Sequence, residues 1–110
     1  MSEDNKEFLQ TIRHRASQRI LFLPHAVRQM THPDRMISPA DVRKVVEEGE
    51  VIEDYPEDTR GHSCLILGWA RDGRPIHIVC APKEEYLAII TVYVPDKTQW
   101  SRDFRRRIRP

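Results

Sequence analysis

The pair Asp72-Gly73 constrains the fold of this 110-residue chain more than any other feature, because it stands between two apolar stretches. An Asp-Gly pair in such a position is typical of a tight β-hairpin turn. We therefore predict that strands 62–70 and 74–81 pair as an antiparallel hairpin, with Arg71 opposite Arg74.

This register decides which side chains share a face of the sheet. It places Cys64 and Cys80 on opposite faces, which argues against a disulfide, and it places Gly68 opposite His77. The absent side chain would leave room for a ligand beside the imidazole. The larger apolar face, which we expect to pack against helices, carries Leu65, Leu67, Trp69, Ile76, Ile78 and Cys80.

A further apolar strand is predicted at 86–94. If the loop before it has three residues, 83–85, then Thr91 and Tyr93 join His77 on an open face. A four-residue loop would reverse this arrangement. The set expected to face the helices is then Ala88, Ile90, Val92 and Val94.

The N-terminal half has helical periodicity, so the chain reads as helices followed by strands, the order of an α+β fold. We predict three helices. The first covers 3–17, the second begins at Pro24, and the third runs from an N-cap at Ser38 to a left-handed Gly49. An edge strand is expected at 20–23, between the first two helices. An acidic strand, 51–55, begins a four-stranded antiparallel sheet, and the helices pack on one of its faces. One domain, 1–110, is expected, made of an N-terminal helix (1–18), a core (24–100) and a basic tail (101–110).

Charge is distributed unevenly along the chain, although the net charge is only +1. Seven acidic and no basic residues lie between 45 and 58, whereas six basic residues and only Asp103 lie between 97 and 110. The basic block could clamp RNA phosphates, dock a partner or form a solvated tail. Trp100 and Phe104 indicate packing on the core or on a partner. The candidate RNA-binding residues are Arg102, Arg105, Arg106, Arg107 and Arg109.

Several classes of protein are not favoured by the sequence. No apolar run approaches membrane-spanning length, and the first seven residues lack the pattern of a signal peptide, so we expect a cytoplasmic protein. Neither a metal-ligand motif nor a glycine-rich phosphate loop is present, so we expect no metal and no cofactor. The oligomeric state is left open.

Four side chains are candidates for catalysis. His77 stands among aliphatic residues, although a half-buried structural histidine would fit the same pattern. His25 and Arg28 share a helix face, where an imidazole could move a proton and a guanidinium could hold charge on phosphorus. The alternative for this pair is a solvated helix end. Tyr93 could donate a proton or bind a phosphate, or it could be an ordinary strand tyrosine.

Several motifs follow one another in a fixed order between residues 24 and 107. Together they resemble a small bacterial domain family of unassigned function, which is similar to the RelE/ParE-like toxins of toxin–antitoxin pairs. The motifs are His25-Ala26 with Arg28 and Met30, Ile37-Ser38 with Asp41-Val42, Gly49 to Tyr55, Leu67-Gly68-Trp69, His77-Ile78-Val79, and Ile90 to Tyr93 followed by Pro95-Asp96 and Trp100.

The resemblance implies helices packed on a curved antiparallel sheet. It also implies a metal-independent endoribonuclease, an mRNA interferase of a type II pair, with an antitoxin partner of the zinc-ribbon or DNA-binding type. The positions that match such a site are His25, Arg28, His77 and Tyr93. A different hypothesis is a non-catalytic module that docks an antitoxin or RNA, and a third is a domain that gates larger machinery through the acidic strand.

Overall fold

The computed structural model describes residues 3–108, which form three helices and five strands. The α+β class is thereby confirmed. None of the helices in the described part of the chain is long and apolar enough to cross a membrane. The elements are α1 (Glu3–Gln18), β1 (Ile20–Phe22), α2 (Pro24–Thr31), α3 (Pro39–Glu48), β2 (Glu50–Tyr55), β3 (Ser63–Trp69), β4 (Pro75–Pro82) and β5 (Leu87–Tyr93).

The sheet is mixed and has five strands, in the order β1-β5-β4-β3-β2. The prediction of a four-stranded antiparallel sheet was therefore wrong, because a fifth strand, β1, is also part of the sheet. The edge strand predicted at 20–23 does form, but it joins the sheet parallel to β5, with Ile20 opposite Leu87. A pairing between segments so distant in sequence leaves no local pattern, which explains why it was not predicted.

The start of α3 is formed as predicted. Ser38 and Asp41 make a reciprocal capping box, with hydrogen bonds of 3.1 and 3.3 Å between each side chain and the other's backbone N–H. Gly49 ends the helix, but its φ of −80° is not left-handed, which corrects that prediction. A side chain at Gly49 would lie 2.5 Å from the Leu67 carbonyl oxygen, so close approach of the backbone is what requires glycine there.

The β3–β4 hairpin is shifted by one residue from the predicted register, because its loop has three residues, 71–73. The Ala70 N–H donates to the Arg74 carbonyl at 2.8 Å, and Gly73 adopts a φ of +90°. The backbone N–H of Arg71 donates to the Asp41 carboxylate at 3.1 Å, which ties the loop to the start of α3. This tertiary contact stabilises the longer loop.

The shift reverses the predicted faces of β3, since neighbouring side chains of a strand point to opposite sides. Cys64 lies opposite Cys80 in the helix-side core, and both are free thiols. Gly68 lies opposite Ile76 and not opposite His77. A Cβ at Gly68 would lie 2.8 Å from the Val45 side chain. The absence of a side chain at Gly68 therefore lets α3 pack closely on the sheet, and it leaves no room for a ligand.

The predicted position of Tyr93 beside His77 is confirmed, since the two residues pair directly. Val92 and Val94 pack in the helix-side core as predicted. A bulge lies between the pairs Val79–Thr91 and Cys80–Ile89. The three-residue loop that the prediction required does not form: Pro82 pairs with Leu87, so four residues, 83–86, separate the two paired positions. Leu87 and Ile89 therefore pack toward the helices, and the prediction of Ala88 and Ile90 for these positions was wrong. The bulge then restores the predicted alternation for Val92 and Val94.

The second face of the sheet is not open, contrary to the prediction. Residues 95–108, here called the C-terminal segment, cover it. Trp100 and Phe104 pack on Leu65 and Leu67 in a second hydrophobic cluster. The described part of the basic tail is therefore an ordered layer of the domain.

Candidate active site

His77 lies at the centre of β4 and has no solvent exposure. Its Nδ1 is 3.0 Å from the Tyr93 hydroxyl, and its Nε2 is 2.9 Å from the carbonyl oxygen of Phe104 in the C-terminal segment. A carbonyl oxygen can only accept, so Nε2 must carry the hydrogen.

Burial lowers the pKa of His77 to about 4, against the raising effect of the Phe104 carbonyl, so the ring is neutral near pH 7. A neutral imidazole protonated on Nε2 has an unprotonated Nδ1, and the Tyr93 hydroxyl therefore donates to it. The Trp100 ring meets the imidazole edge to face, with centroids 4.4 Å apart. Both ring nitrogens are thus engaged, and His77 positions Tyr93 and the C-terminal segment.

A second polar group lies on the same face of the sheet. Arg107 donates two hydrogen bonds to the Glu53 carboxylate, from Nε at 2.9 Å and from Nη2 at 3.1 Å. The Tyr55 hydroxyl donates to the same carboxylate. The Arg107 guanidinium also lies over the Trp100 ring, 4.7 Å from its centroid. Glu53 therefore binds a bidentate cation and a phenol at once, and both donate to its Oε1.

These contacts shift the pKa values of the group. Burial alone would raise the pKa of Glu53, but hydrogen bonds from Arg107 and Tyr55 lower it overall. Burial and the hydrogen bond to Glu53 raise the pKa of Tyr55 to about 12. The hydrogen bonds with Glu53 raise the pKa of Arg107. The resting state therefore holds a carboxylate, a phenol and a guanidinium.

The charges of Glu53 and Arg107 also act on His77 and Tyr93, and burial raises the pKa of Tyr93. We call the five residues Glu53, Tyr55, His77, Tyr93 and Arg107 the Glu53 cluster. Half of the Arg107 side chain and 23% of the Glu53 side chain are exposed, whereas His77 is inaccessible. A ligand would meet the carboxylate and the guanidinium first.

Two of the four predicted catalytic residues, His77 and Tyr93, are brought together. His25 and Arg28 lie exposed on α2, whose buried residues Ala26 and Met30 face the helix-side core. They are therefore on the opposite side of the sheet from His77. Neither side chain has a hydrogen bond or ion pair within residues 3–108, and their predicted roles stay predictions.

The predicted RNA-binding arginines divide into three groups. Arg107 pairs with Glu53, and Arg105 pairs with Glu50 at 2.6 Å, so two arginines of the basic block are paired with the acidic strand. The guanidinium groups of Arg102 and Arg106 are exposed and form no ion pair in the described part of the chain. Arg109 lies outside the described residues.

Sequence reasoning missed Glu53 and Tyr55. A signal for Glu53 existed, because the strand that carries Glu50 and Glu53 stands upstream of an arginine block of opposite charge. Within the described range, no three histidine, cysteine or acidic side chains cluster in a way that could hold a metal ion.

Comparison with known proteins gives one match. The model of a family described as a domain of unknown function, DUF4258, matches residues 22–94. This range contains β2 to β5, the last residue of β1 and the residues Glu53, Tyr55, His77 and Tyr93, whereas Arg107 lies beyond it. No curated protein and no solved structure matches the chain.

Proposed function

The chain belongs to the DUF4258 family of domains of unknown function, and from its geometry we propose that it is a metal-independent endoribonuclease. One observation carries the proposal: the Glu53 carboxylate accepts hydrogen bonds from both the guanidinium of Arg107 and the phenol of Tyr55, and the ion pair is partly exposed to solvent. A base, a cation and an acid are the groups that phosphodiester transesterification needs. The resemblance to RelE/ParE-like toxins points to the same reaction.

Substrate binding begins at the ion pair. A phosphodiester that enters between Glu53 and Tyr55 replaces the hydrogen bond between them. The guanidinium of Arg107 then binds the phosphate in place of the Glu53 carboxylate. Arg107 suits this role, since its fork binds two phosphate oxygens and stabilises the charge that develops on them. Loss of these contacts raises the pKa of Glu53, because the hydrogen bonds from Arg107 and Tyr55 lower it in the free protein.

The chemical step then follows. Glu53 accepts the proton of the RNA 2′-hydroxyl, whose oxygen attacks the adjacent phosphorus and forms a bond to it. The bond from phosphorus to the 5′-oxygen breaks, and Tyr55 donates its proton to that leaving oxygen. The products are a 2′,3′-cyclic phosphate and a 5′-hydroxyl.

A proton transfer within the protein restores the starting state after each reaction. Glu53 is left protonated and Tyr55 is left as a phenolate. When the product leaves, their hydrogen bond re-forms and the proton returns to Tyr55, whose pKa of about 12 favours the phenol. Tyr93 donates its hydroxyl proton to His77, so it makes no hydrogen bond to the phosphate and acts by supporting the sheet face beside the site.

The test is cleavage of single-stranded RNA by the purified protein in excess EDTA. We expect cleavage by the wild type, and a loss of about a hundredfold or more in Glu53→Gln and Arg107→Met, as for removal of a base or a charge-stabilising donor. Glu57→Gln and Arg43→Met are matched controls, because both side chains are exposed, lie outside the Glu53 cluster and are not among the candidate RNA-binding residues. Intact RNA with the wild type, or full activity in Glu53→Gln, would overturn the proposal.

The complete burial of His77 favours a second candidate function, a non-catalytic module that docks RNA or an antitoxin protein. Both ring nitrogens of His77 are engaged, so the imidazole contributes structure and no proton transfer. Exposed cations at Arg102 and Arg106 would then hold the acidic ligand. Salt-dependent RNA binding by the wild type without cleavage would favour this function. An antitoxin partner of the zinc-ribbon type belongs to either proposal.

A further inference from the structure

We propose that Trp69 and the cleft beside it form a subsite for an unpaired nucleobase of single-stranded RNA. The inference rests on the proposed function in one respect, since it takes RNA as the ligand. It adds a base-stacking site that is separate from the Glu53 cluster.

Trp69 is unusual within its strand. The six residues before it in β3 are buried, whereas 44% of its own surface is exposed. Phe104 meets it edge to face, with ring centroids 6.2 Å apart at 73°, and this contact fixes one side of the indole. A large aromatic ring that is held in place and partly exposed offers a surface on which any base can stack.

A cleft of about 230 Å³ opens next to the indole, where the C-terminal end of α3 meets β2 and β3. Two lysine or arginine side chains and two carboxylates line it. Lys44 donates to the Trp69 carbonyl at 2.9 Å and lies 3.6 Å from Glu48. Arg105 donates to Glu50 at 2.6 Å.

This lining offers both donors and acceptors to a base edge. Carboxylates accept hydrogen bonds from the amino groups of bases, and lysine and arginine donate to ring nitrogens and carbonyl oxygens. Both ion pairs are partly exposed, with 65% of the Glu48 side chain and 47% of the Arg105 side chain accessible. Exposed pairs are weak, so they can exchange partners when a base enters.

The indole of Trp69 lies on the same face of the sheet as the Glu53 cluster, and the cleft beside it opens at the edge of the sheet, between α3 and the C-terminal segment. Trp69, Leu67 and Leu65 alternate along β3, and Leu65 lies opposite Glu53. Four residues of a strand span about 13 Å, a distance that a few nucleotides of single-stranded RNA can cover. One RNA strand could therefore place a base on Trp69 and a phosphate at Arg107.

The test uses a single-stranded oligonucleotide with 2′-O-methyl groups, which cannot be cleaved by 2′-hydroxyl attack. We expect a base stacked on Trp69 to quench its fluorescence. The change can be assigned to Trp69, because Trp100 is only 3% exposed and is shielded from the ligand. Trp69→Ala should weaken binding about tenfold, and Trp69→Phe should retain part of the affinity. Met36→Ala is the control, since Met36 is 67% exposed and does not line the cleft.

The outcomes separate the two proposals. Affinity of Trp69→Ala within twofold of wild type, unquenched fluorescence at saturation, or no binding by the wild type would overturn the subsite. If the wild type cleaves unmodified RNA while Trp69→Ala binds normally, only the subsite is wrong. If binding quenches Trp69 and the wild type never cleaves, the subsite stands and the ribonuclease proposal fails.

Discussion

The hydroxyl of Tyr93 and Nδ1 of His77, on neighbouring strands, are 3.0 Å apart, and the opposite nitrogen of the same ring binds the Phe104 carbonyl. The imidazole therefore connects the sheet to the C-terminal segment through two hydrogen bonds. Each of these polar groups would be costly to bury without a partner. His77 thus helps to fix the layer that carries Trp100, Arg105 and Arg107.

This arrangement predicts the tautomer of His77. We expect a neutral ring with its hydrogen on Nε2, because the carbonyl of Phe104 cannot donate. Nitrogen-15 chemical shifts of the imidazole at pH 7 measure this directly. An Nδ1-protonated or doubly protonated ring would contradict the assignment.

The free energy of unfolding should decrease as the pH is lowered, because the His77 ring is buried in its neutral form. The pKa of His77 is about 4 in the folded protein and near 6.5 as the ordinary value, so the unfolded state binds more protons at low pH. The stabilisation is complete above pH 6.5 and is lost as the pH falls toward 4, by up to about 3 kcal/mol.

Urea unfolding at several pH values checks this expectation. His77→Gln should flatten the loss between pH 6.5 and 4, since an amide does not titrate there. The exposed His14→Gln is the control and should keep the wild-type slope. An unchanged slope in His77→Gln would show that other groups cause the acid sensitivity.

The ion pair of Arg107 and Glu53 should contribute measurably to the docking of the C-terminal segment. Its bidentate geometry strengthens it, whereas the half-exposed arginine weakens it, and we expect a coupling of about 1 kcal/mol. A double-mutant cycle with Arg107→Met and Glu53→Gln measures the coupling. A cycle with Arg102→Met in place of Arg107→Met should give a coupling near zero.

Gly68→Ala should destabilise the domain, because the added methyl group would lie 2.8 Å from a Val45 methyl carbon and 3.0 Å from its Cα. We expect a loss of about 1–3 kcal/mol in the free energy of unfolding. Adding Val45→Ala should recover little of that loss, since the backbone of α3 is also in contact. Wild-type stability in Gly68→Ala would mean that α3 can move away freely.

Local patterns were sufficient for the parts of the fold that local interactions determine. The Ser38 capping box and the apolar helix faces could both be predicted. The hairpin register could not, because Asp41 holds the backbone of Arg71 and favours a loop that the Asp-Gly pair alone does not indicate. One residue of shift then moved Gly68 and Cys64 to the helix-side core.

The candidate site shows the same division. His77 and Tyr93 lie on adjacent strands of a meander, and their shared face was predicted. They meet, however, because a bulge in β5 compensates for a connection one residue longer than the predicted loop. Glu53 and Arg107 are 54 positions apart in the chain and meet only because the C-terminal segment folds back over the sheet. Separate acidic and basic blocks were visible in the sequence, but which carboxylate each arginine would bind depends on the docked geometry.

The ends of the cleaved RNA test the central claim most directly. After incubation in EDTA, mass spectrometry of the products should show 2′,3′-cyclic phosphates, and a single 2′-deoxy nucleotide at the cleavage position should block the reaction. Products with 3′-hydroxyl and 5′-phosphate ends, or cleavage that ignores the 2′-deoxy substitution, would contradict attack by the 2′-hydroxyl at the Glu53 cluster.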